Sequence, residues 1–169
     1  LASFFGRVNY KFMDRYILTA SLRADGSSLL ADGHKWGYFP SVAVAWRMNE
    51  ESFLKGFDEL SNLKLRLSWG ESGQSAIDPY QTVGLLGSST YSFNNDLASG
   101  LYPKTMSNKN LTWETTSVFD LGVDFGFFNN RLSGSVDVYK SYTRNLLLYR
   151  KIPSINGYTE VMENIGKTE

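Results

Sequence analysis

The sequence contains no cysteine, so it has no disulfide framework, no thiolate nucleophile and no cysteine metal site. It also has no apolar run near the roughly 20 residues that a membrane-spanning helix needs, because charged or amide side chains interrupt every candidate. A role in a membrane would therefore have to use strands. With 17 basic and 17 acidic residues the formal net charge is zero, so no strong field points to a nucleic-acid partner.

The composition favours a β protein. Aromatic residues make up 15% of the chain and glycine contributes 15 residues, whereas a hydrophobic share of 42% is low for a helical membrane protein. The length of 169 residues fits one structural unit, and no internal domain boundary is visible.

The first 25 residues predict a β-hairpin. Apolar and polar side chains alternate over residues 3–12 and again over residues 16–25, with Phe5 and Ile17 as the exceptions. Folding the chain at the intervening turn brings the two apolar faces together. The predicted register pairs Phe12 with Tyr16, Tyr10 with Leu18, and Val8 with Ala20.

A second hairpin is predicted near residue 130. Alternation over residues 119–127 is followed by Asn129 and Asn130, which suit a two-residue turn with positive φ, and then by alternation over residues 132–138. The predicted register pairs Phe127 with Leu132, Phe125 with Gly134, and Val123 with Val136, so the apolar faces match again.

Two further strands are expected at residues 38–48 and 63–69, which gives about six in total. Between them, Asn49 is a candidate cap for a short helix within residues 49–62. The long connections, residues 26–37, 73–112 and 145–163, all fall at one end of an up-and-down sheet. Six strands neither close a barrel nor protect their edges, and another strand is expected to begin near residues 164–169, so we expect these residues to be an excerpt of a larger sheet.

Alternation alone does not distinguish a barrel in lipid from a soluble β-sandwich or lectin-like module. Aromatic residues near the strand ends favour the barrel, because such belts mark membrane interfaces. We expect Tyr10, Phe12 and Tyr16, and Phe125, Phe127 and Phe128, beside the tight turns, and Trp36, Tyr38, Trp69 and Trp113 at the other end. The polar face would then line a water-filled lumen. The predicted lumen-lining residues are Arg7, Arg23, Arg66, Asp120, Asp124 and Asp137.

Five blocks of sequence resemble the SusC/RagA family of TonB-linked outer-membrane proteins of Bacteroidota, in the family's order. They are residues 14–28 (DRYILTASLRADGSS), 35–46 (KWGYFPSVAVAW), 61–73 (SNLKLRLSWGESG), 110–116 (NLTWETT) and 121–138 (LGVDFGFFNNRLSGSVDV).

The resemblance implies an all-β, antiparallel, up-and-down transmembrane barrel of about 22 strands in the bacterial outer membrane, of which residues 1–169 are a fragment. It also implies a plug domain, which we expect to lie upstream because nothing in these residues matches it. The implied partners are a SusD-like surface lipoprotein, TonB acting through the plug, and membrane lipid. The implied cargo is a glycan, or a peptide in some members.

Candidate chemistry is sparse. The single histidine, His34, lies in a Gly-flanked polar loop and has no evident catalytic neighbours, so we predict no catalytic residues and no cofactor. Asp25 to Asp32 does not match a calcium loop and is explained by turn chemistry, so we predict no metal site. An outer-membrane enzyme or adhesin would need a site cluster that the sequence lacks.

Aromatic side chains in the long connections are the remaining candidates for ligand contact. Their flat rings offer apolar area with a polar handle, which suits stacking on a sugar ring or packing against a lid protein. The alternative is that they pack within their own loops. The candidates are Trp36, Tyr80, Tyr91 and Tyr102.

Overall fold

The computed structural model describes residues 1–57, 59–158 and 160–169. Its elements are β1 (Ala2–Phe12), β2 (Tyr16–Gly26), β3 (Trp36–Arg47), a 3-10 turn (Met48–Glu50), β4 (Leu60–Gln74), β5 (Leu86–Phe93), β6 (Asp96–Pro103), β7 (Glu114–Phe127), β8 (Leu132–Arg144), β9 (Leu147–Lys151), a second 3-10 turn (Ser154–Asn156), β10 (Glu160–Asn164) and β11 (Lys167–Thr168).

One antiparallel sheet organises the chain, in the order β1-β2-β3-β4-β7-β8-β11. Its six long strands are the six predicted ones, and we call them the wall sheet: β1, β2, β3, β4, β7 and β8. The predicted registers of both hairpins are confirmed, including Val8 opposite Ala20 and Val123 opposite Val136. Matching apolar faces fixed these registers, because a slip of one residue would move every apolar side chain to the polar face.

Left-handed residues close the two tight hairpins. Met13 and Asp14 have φ of 51° and 56°, and the Arg15 amide donates to the Phe12 carbonyl at 3.1 Å. Asn129 and Asn130 have φ of 57° and 61°, as predicted for a two-residue turn. Both turns lie at the same end of the wall sheet as residues 48–57, so the three long connections share the opposite end, as expected. We call these the turn end and the loop end.

Two expectations need correction. The helix predicted within residues 49–62 is absent from the described residues of that segment, and residue 58 lies outside them; a 3-10 turn at Met48–Glu50 takes its place. The Asn49 side chain accepts from the Leu63 amide instead of capping a helix. The long connections also contain two hairpins that were not predicted, β5 with β6 and β9 with β10. The further strand expected near residues 164–169 is present as β11, which begins at Lys167.

The apolar face of the wall sheet is uncovered. Val8 is 69% exposed, Val136 59% and Leu18 42%. A soluble β-sandwich would bury this face under a second sheet, and none of the described residues forms one there. No helix in the described ranges is both long enough and apolar enough to cross a membrane.

Aromatic side chains gather at the turn end of the apolar face as predicted. Phe12 lies 6.4 Å from Tyr10 and 6.5 Å from Tyr16, measured between ring centroids, and Tyr16 stacks on Trp46 at 6.3 Å. Phe127 contacts both Phe125 and Phe128. At the loop end Trp36, Tyr38 and Trp69 are 37% to 64% exposed, but Trp113 is only 7% exposed and lies in a core instead of a belt.

That core is the one hydrophobic cluster found among the described residues, and it lies at the loop end. Phe39 and Trp113 pack edge to face with ring centroids 5.5 Å apart, and Leu111 is fully buried. We call it the loop-end cluster; its members are Leu30, Phe39, Ile77, Leu111, Trp113 and Met162. The connections after β2, β4 and β8 all contribute, so the cluster joins the long connections to the rim of the sheet.

Candidate functional site

The ladders place all six predicted polar residues on one face of the wall sheet. Arg7 faces Ser21, which faces Ser41 and then Gly70, and these positions share one side because side chains alternate along each strand. The same side of the sheet continues through Arg66 to Gly122 and Asp137. The residues brought together on this polar face are Arg7, Arg23, Arg66, Asp120, Asp124 and Asp137.

Near the turn end, Arg66 links three strands. Its Nε and Nη2 donate to the two carboxylate oxygens of Asp124 at 3.0 and 2.9 Å, and Nη2 also donates to Asp137 at 2.8 Å. Lys64 lies 3.4 Å from Asp124. Gly122 lies between Arg66 and Asp137 in the ladder, and a Cβ there would be 2.8 Å from Arg66 Nη2 and closer still to Asp137. Because Gly122 has no side chain, Arg66 can extend across β7 to reach Asp137 on β8.

Near the loop end, Arg23 has one carboxylate partner. Its Nε donates to Asp25 at 2.6 Å, and its Cζ lies 5.7 Å from the centroid of the Phe39 ring. The Asp25 side chain is 10% exposed, whereas the Arg23 side chain is 47% exposed. Arg7 lies over Phe5, with its Cζ 5.1 Å from that ring centroid. Both guanidinium groups therefore rest on aromatic rings, an arrangement that Arg favours.

Hydroxyl and amide side chains occupy the polar face between these two arginine sites. Ser21 and Ser41 share a hydrogen bond of 2.7 Å, and Thr19 donates to Asn9 at 2.9 Å. These pairs join neighbouring strands and place hydroxyl and amide groups at the surface of the polar face. Such a surface remains hydrated in contact with water and can exchange hydrogen bonds with a polar solute.

Close packing of Phe39 explains how the loop-end cluster meets the polar face. Its ring lies against the backbones of Gly37 and Gly73, where added side chains would collide with it. The indole Nε1 of Trp113 donates to the Lys35 carbonyl at 3.3 Å. Asn164 joins two connections by donating to the carbonyls of Thr112 and Asn145, both at 2.9 Å. The Phe39 ring beneath Arg23 is therefore held between the backbones of Gly37 and Gly73 and the indole of Trp113.

The predicted loop aromatics separate into different sites. Tyr91 and Tyr102 lie on the same face of the β5–β6 hairpin, and a Cβ on Gly87 would lie 2.6 Å from Tyr102 while one on Gly100 would lie 3.1 Å from Tyr91. Each ring therefore lies over a glycine, and Phe93 extends the row by an edge contact with Tyr91, 6.5 Å between centroids. Tyr91 and Tyr102 remain 52% and 47% exposed, so each ring packs partly on its own hairpin and partly faces solvent.

Tyr80 and Trp36 do not join that row. Tyr80 has φ of 68° within the turn after β4 and is 68% exposed. Trp36 lies on the apolar face, stacked on Phe4 with ring centroids 6.1 Å apart. That position suits a membrane interface, which was the other expectation for Trp36.

Two features were not recognised in the sequence. The β5–β6 hairpin turns at Asn94 and Asn95, with φ of 52° and 66°, and this Asn pair repeats the signal at Asn129. The second is Glu51 at the turn end, which accepts hydrogen bonds from the Tyr16 hydroxyl at 2.8 Å and the Trp46 indole at 3.1 Å. Arg15 also donates to it. These hydrogen bonds, led by that of Tyr16, hold the pKa of Glu51 below its usual value. No sequence spacing links these residues.

Among the described residues, no group of three or more His, Cys, Asp or Glu side chains is placed to hold a metal ion. The arrangement on the polar face consists of ion pairs, arginines on aromatic rings and hydroxyl pairs. Groups of these kinds can form hydrogen bonds and ion pairs with polar solutes. Among the described residues of this face, no nucleophile is paired with a base.

Comparisons with known proteins agree with this arrangement. The profile of the family described as TonB dependent receptor-like, beta-barrel matches residues 1–169. TonB-dependent receptor P26 of Formosa agariphila is 42% identical over 169 residues, and TonB-dependent receptor SusC of Bacteroides thetaiotaomicron is 42% identical over 175 residues. Each alignment covers 100% of this chain and 17% of the relative.

A solved structure described as the RagAB peptide transporter superposes with a TM-score of 0.86 at 34% identity, covering 98% of this chain and 18% of the matched one. The chain therefore spans less than a fifth of each of these three proteins.

Proposed function

Because the chain belongs to the TonB-dependent receptor-like β-barrel family, we propose that it forms part of the wall of an outer-membrane importer for glycans or oligosaccharides. The all-antiparallel sheet is a segment of that barrel, and the barrel lies in the bacterial outer membrane. Family members are receptors and transporters, and we assign this chain no catalytic role.

The observation that carries the proposal is the contrast between the two faces of the wall sheet. Leu121, 42% exposed, belongs to a continuous apolar face, whereas its neighbour Asp120 lies on the face with the ion pairs. Lipid contact would remove the apolar face from water, which is favourable by roughly 25 cal/mol per Å². The polar face would meet the water-filled lumen, where its charges remain solvated.

The proposed partners act at opposite ends of the barrel. A SusD-like surface lipoprotein would cover the loop end, and TonB would act through a plug domain from the other side. The loop end suits a lid because the loop-end cluster and Asn164 bind the long connections into a firm rim. The β5–β6 hairpin extends from that rim and offers exposed Leu97 and Leu101 on the side opposite Tyr91.

Ligand contact is proposed for the loop-end tyrosines, Tyr80, Tyr91 and Tyr102. The glycines beneath Tyr91 and Tyr102 hold both rings close to the hairpin, so each presents a face to solvent at little further cost in side-chain entropy. Ring faces with nearby hydroxyl groups suit the C–H faces of sugars. Peptides are the second candidate cargo, because the RagAB transporter that superposes on this chain is described as a peptide transporter.

Uptake by the full-length receptor tests the proposal. The gene would be deleted in its own bacterium, and uptake of fluorescent neutral hexasaccharides, of acidic hexasaccharides and of an octapeptide pool would be compared with wild type. We expect loss of uptake for one saccharide class, restored by the wild-type gene. Uptake of every probe at the wild-type rate in the deletion strain contradicts the proposal, and loss of peptide uptake alone favours the second cargo.

The tyrosines need their own comparison. The double variant Tyr91→Ala, Tyr102→Ala is expected to bind the imported saccharide more weakly, by roughly 1 to 2 kcal/mol for the pair if each ring contributes a stacking contact. Leu97→Ser, on the other side of the same hairpin, is the matched control. Equal affinity in both variants would remove the tyrosines from the binding surface.

A further inference from the structure

The arginines of the polar face differ in how completely their hydrogen-bond donors are used. Arg66 makes three hydrogen bonds to Asp124 and Asp137, which occupy its Nε and Nη2. Arg23 uses only Nε, towards Asp25. In the part of the chain that the structure describes, Arg7 has no ion-pair partner, and neither Arg7 nor Arg23 has a hydrogen-bond partner for its terminal nitrogens. Arg66 is therefore paired with two carboxylates of the wall sheet, whereas Arg7 and Arg23 keep more unpaired donors within the described residues.

Arg7 and Arg23 lie close together on the polar face. Phe5 is directly opposite Arg23 in the β1–β2 ladder, and Arg7 follows Phe5 by two residues on the same side. The two arginines are thus diagonal neighbours, and such positions in an antiparallel pair lie roughly 7 to 8 Å apart, with the Cβ atoms somewhat closer. Arginine side chains are long enough to converge on one ligand group across that distance.

Both guanidinium groups are oriented before any ligand arrives. Arg7 rests on Phe5 and Arg23 rests on Phe39. Phe39 is 5% exposed and is packed against Trp113 and two glycine backbones, so the ring under Arg23 has a fixed position. The hydrogen bond from Arg23 Nε to buried Asp25 fixes the plane of the guanidinium further. Groups oriented in advance lose less entropy on binding.

The local charge favours an anion. Arg7 and Arg23 contribute two positive charges and Asp25 one negative charge, which leaves one positive charge. Glu71 also lines the depression beside Arg23, but its carboxylate is paired with Arg144 at 2.9 Å. A guanidinium presents parallel N–H groups that match the two oxygens of a carboxylate or sulfate. Ser3 and Ser21 supply hydroxyl groups beside the arginines.

We propose that Arg7 and Arg23 form an anion-binding subsite for a singly charged oxyanion, a carboxylate or sulfate ester, carried by the imported molecule. The proposal rests on the proposed function, because it takes this face to line the transport lumen. It deepens that function by assigning an acidic class of cargo, recognised on the half of the wall sheet nearer the loop end.

Residue-specific chemical modification of the full-length receptor tests the subsite without any variant. Phenylglyoxal reacts with accessible guanidinium groups, and mass spectrometry of digests gives the rate at each arginine. The probes are sodium sulfate against sodium chloride at equal ionic strength, and galacturonate against its neutral methyl ester. When the concentration of the anion is twice its Kd, modification of Arg7 and Arg23 should be about threefold slower. Arg131, exposed at the turn end, is the control.

Three results would overturn the proposal. The first is equal modification of Arg7 and Arg23 with and without the charged probes. The second is equal protection of Arg131, which would indicate general screening. The third concerns the intact receptor without added anion. If Arg7 and Arg23 do not react there but do react after deletion of the plug domain, a carboxylate of the plug occupies the site in the intact protein.

Variants separate this proposal from the transport function. The double variant Arg7→Gln, Arg23→Gln should bind galacturonate and its methyl ester with equal affinity. The variant Arg131→Gln should still bind galacturonate more tightly than the ester. Arg23→Lys keeps the charge but removes the paired N–H groups, so the preference should fall. If uptake of all probes fails while protection by sulfate persists, the import proposal fails and the anion site stands. If uptake succeeds without any protection, the site fails alone.

Discussion

The wall sheet and the loop-end cluster are stabilised in opposite ways. The wall sheet exposes its apolar side chains, Leu121 at 42% and Val8 at 69%, and its strands are joined by ladders and polar pairs on the other face. The loop-end cluster buries Leu111 completely and Leu30 to 2%, in the manner of a small soluble protein. The difference agrees with the proposed function, in which lipid surrounds the wall sheet and water surrounds the long connections.

Removing a leucine from each region tests this comparison most directly. Leu111→Ala leaves a cavity in a packed core, which typically costs about 2 to 5 kcal/mol. Leu121→Ala, the matched control, should cost a fraction of that in a membrane, because acyl chains fill the space. Native-state hydrogen exchange of the full-length receptor in lipid gives the free energy of opening separately for the loop end and for the wall strands. Equal losses in the two variants would mean that the wall has a core of its own.

Charge substitutions at adjacent positions sharpen the contrast between the two faces. Leu121→Arg places a cation against lipid, where the cost near the midplane is about 2 to 4 kcal/mol. Asp120→Arg, one residue earlier and on the polar face, should leave insertion nearly unchanged. Folding yield and urea unfolding in lipid vesicles measure both. A larger loss for Asp120→Arg would reverse the assignment of lipid and lumen.

Glycine substitution tests how the wall is joined on its polar face. Gly122→Ala would displace Arg66 from Asp137, and the loss should be about 1 kcal/mol because these side chains are 33% to 40% exposed. Gly6→Ala is the control, since a Cβ there meets nothing within 4 Å. Urea unfolding of both variants gives the comparison. If Gly6→Ala costs as much, strand propensity and not the ion-pair network explains the effect.

The smallest effect is expected from pH at the β9–β10 hairpin. Arg150 donates to both carboxylate oxygens of Glu163 at 2.8 Å, and this hydrogen bonding holds the pKa of Glu163 below its unperturbed value of 4.5. A lowered pKa stabilises the hairpin above about pH 4.5, and the contribution is lost as pH falls through the folded pKa.

Spin labels on the hairpin would report its opening at pH 6 and pH 3.5. Wild type should open more at the lower pH, whereas Arg150→Gln should differ little between the two. A pH response that persists unchanged in Arg150→Gln would assign the titration to another group.

Much of the wall was predictable because strand alternation and matching faces are local signals. Residues 3–25 and 119–138 carry the alternation and a turn signal within a few residues, and both registers followed. The helix at Asn49 was wrong because local capping preference competed with Glu51, whose carboxylate is drawn to Tyr16 and Trp46 from other strands. Trp113 was wrongly placed in a belt because its packing partner is also distant in sequence: Phe39 lies 74 residues away.

The sequence by itself determined the six long strands, their faces and the side on which each polar residue lies, because alternation and register are set by neighbouring residues. Only the tertiary structure decided that Arg66 is paired with two carboxylates while Arg7 and Arg23 keep unpaired donors among the described residues. It also decided that Tyr91 and Tyr102 share a surface. Those outcomes depend on side chains from strands distant in sequence and on glycines that leave space for them. Such spatial partners carry no periodic signal along the chain.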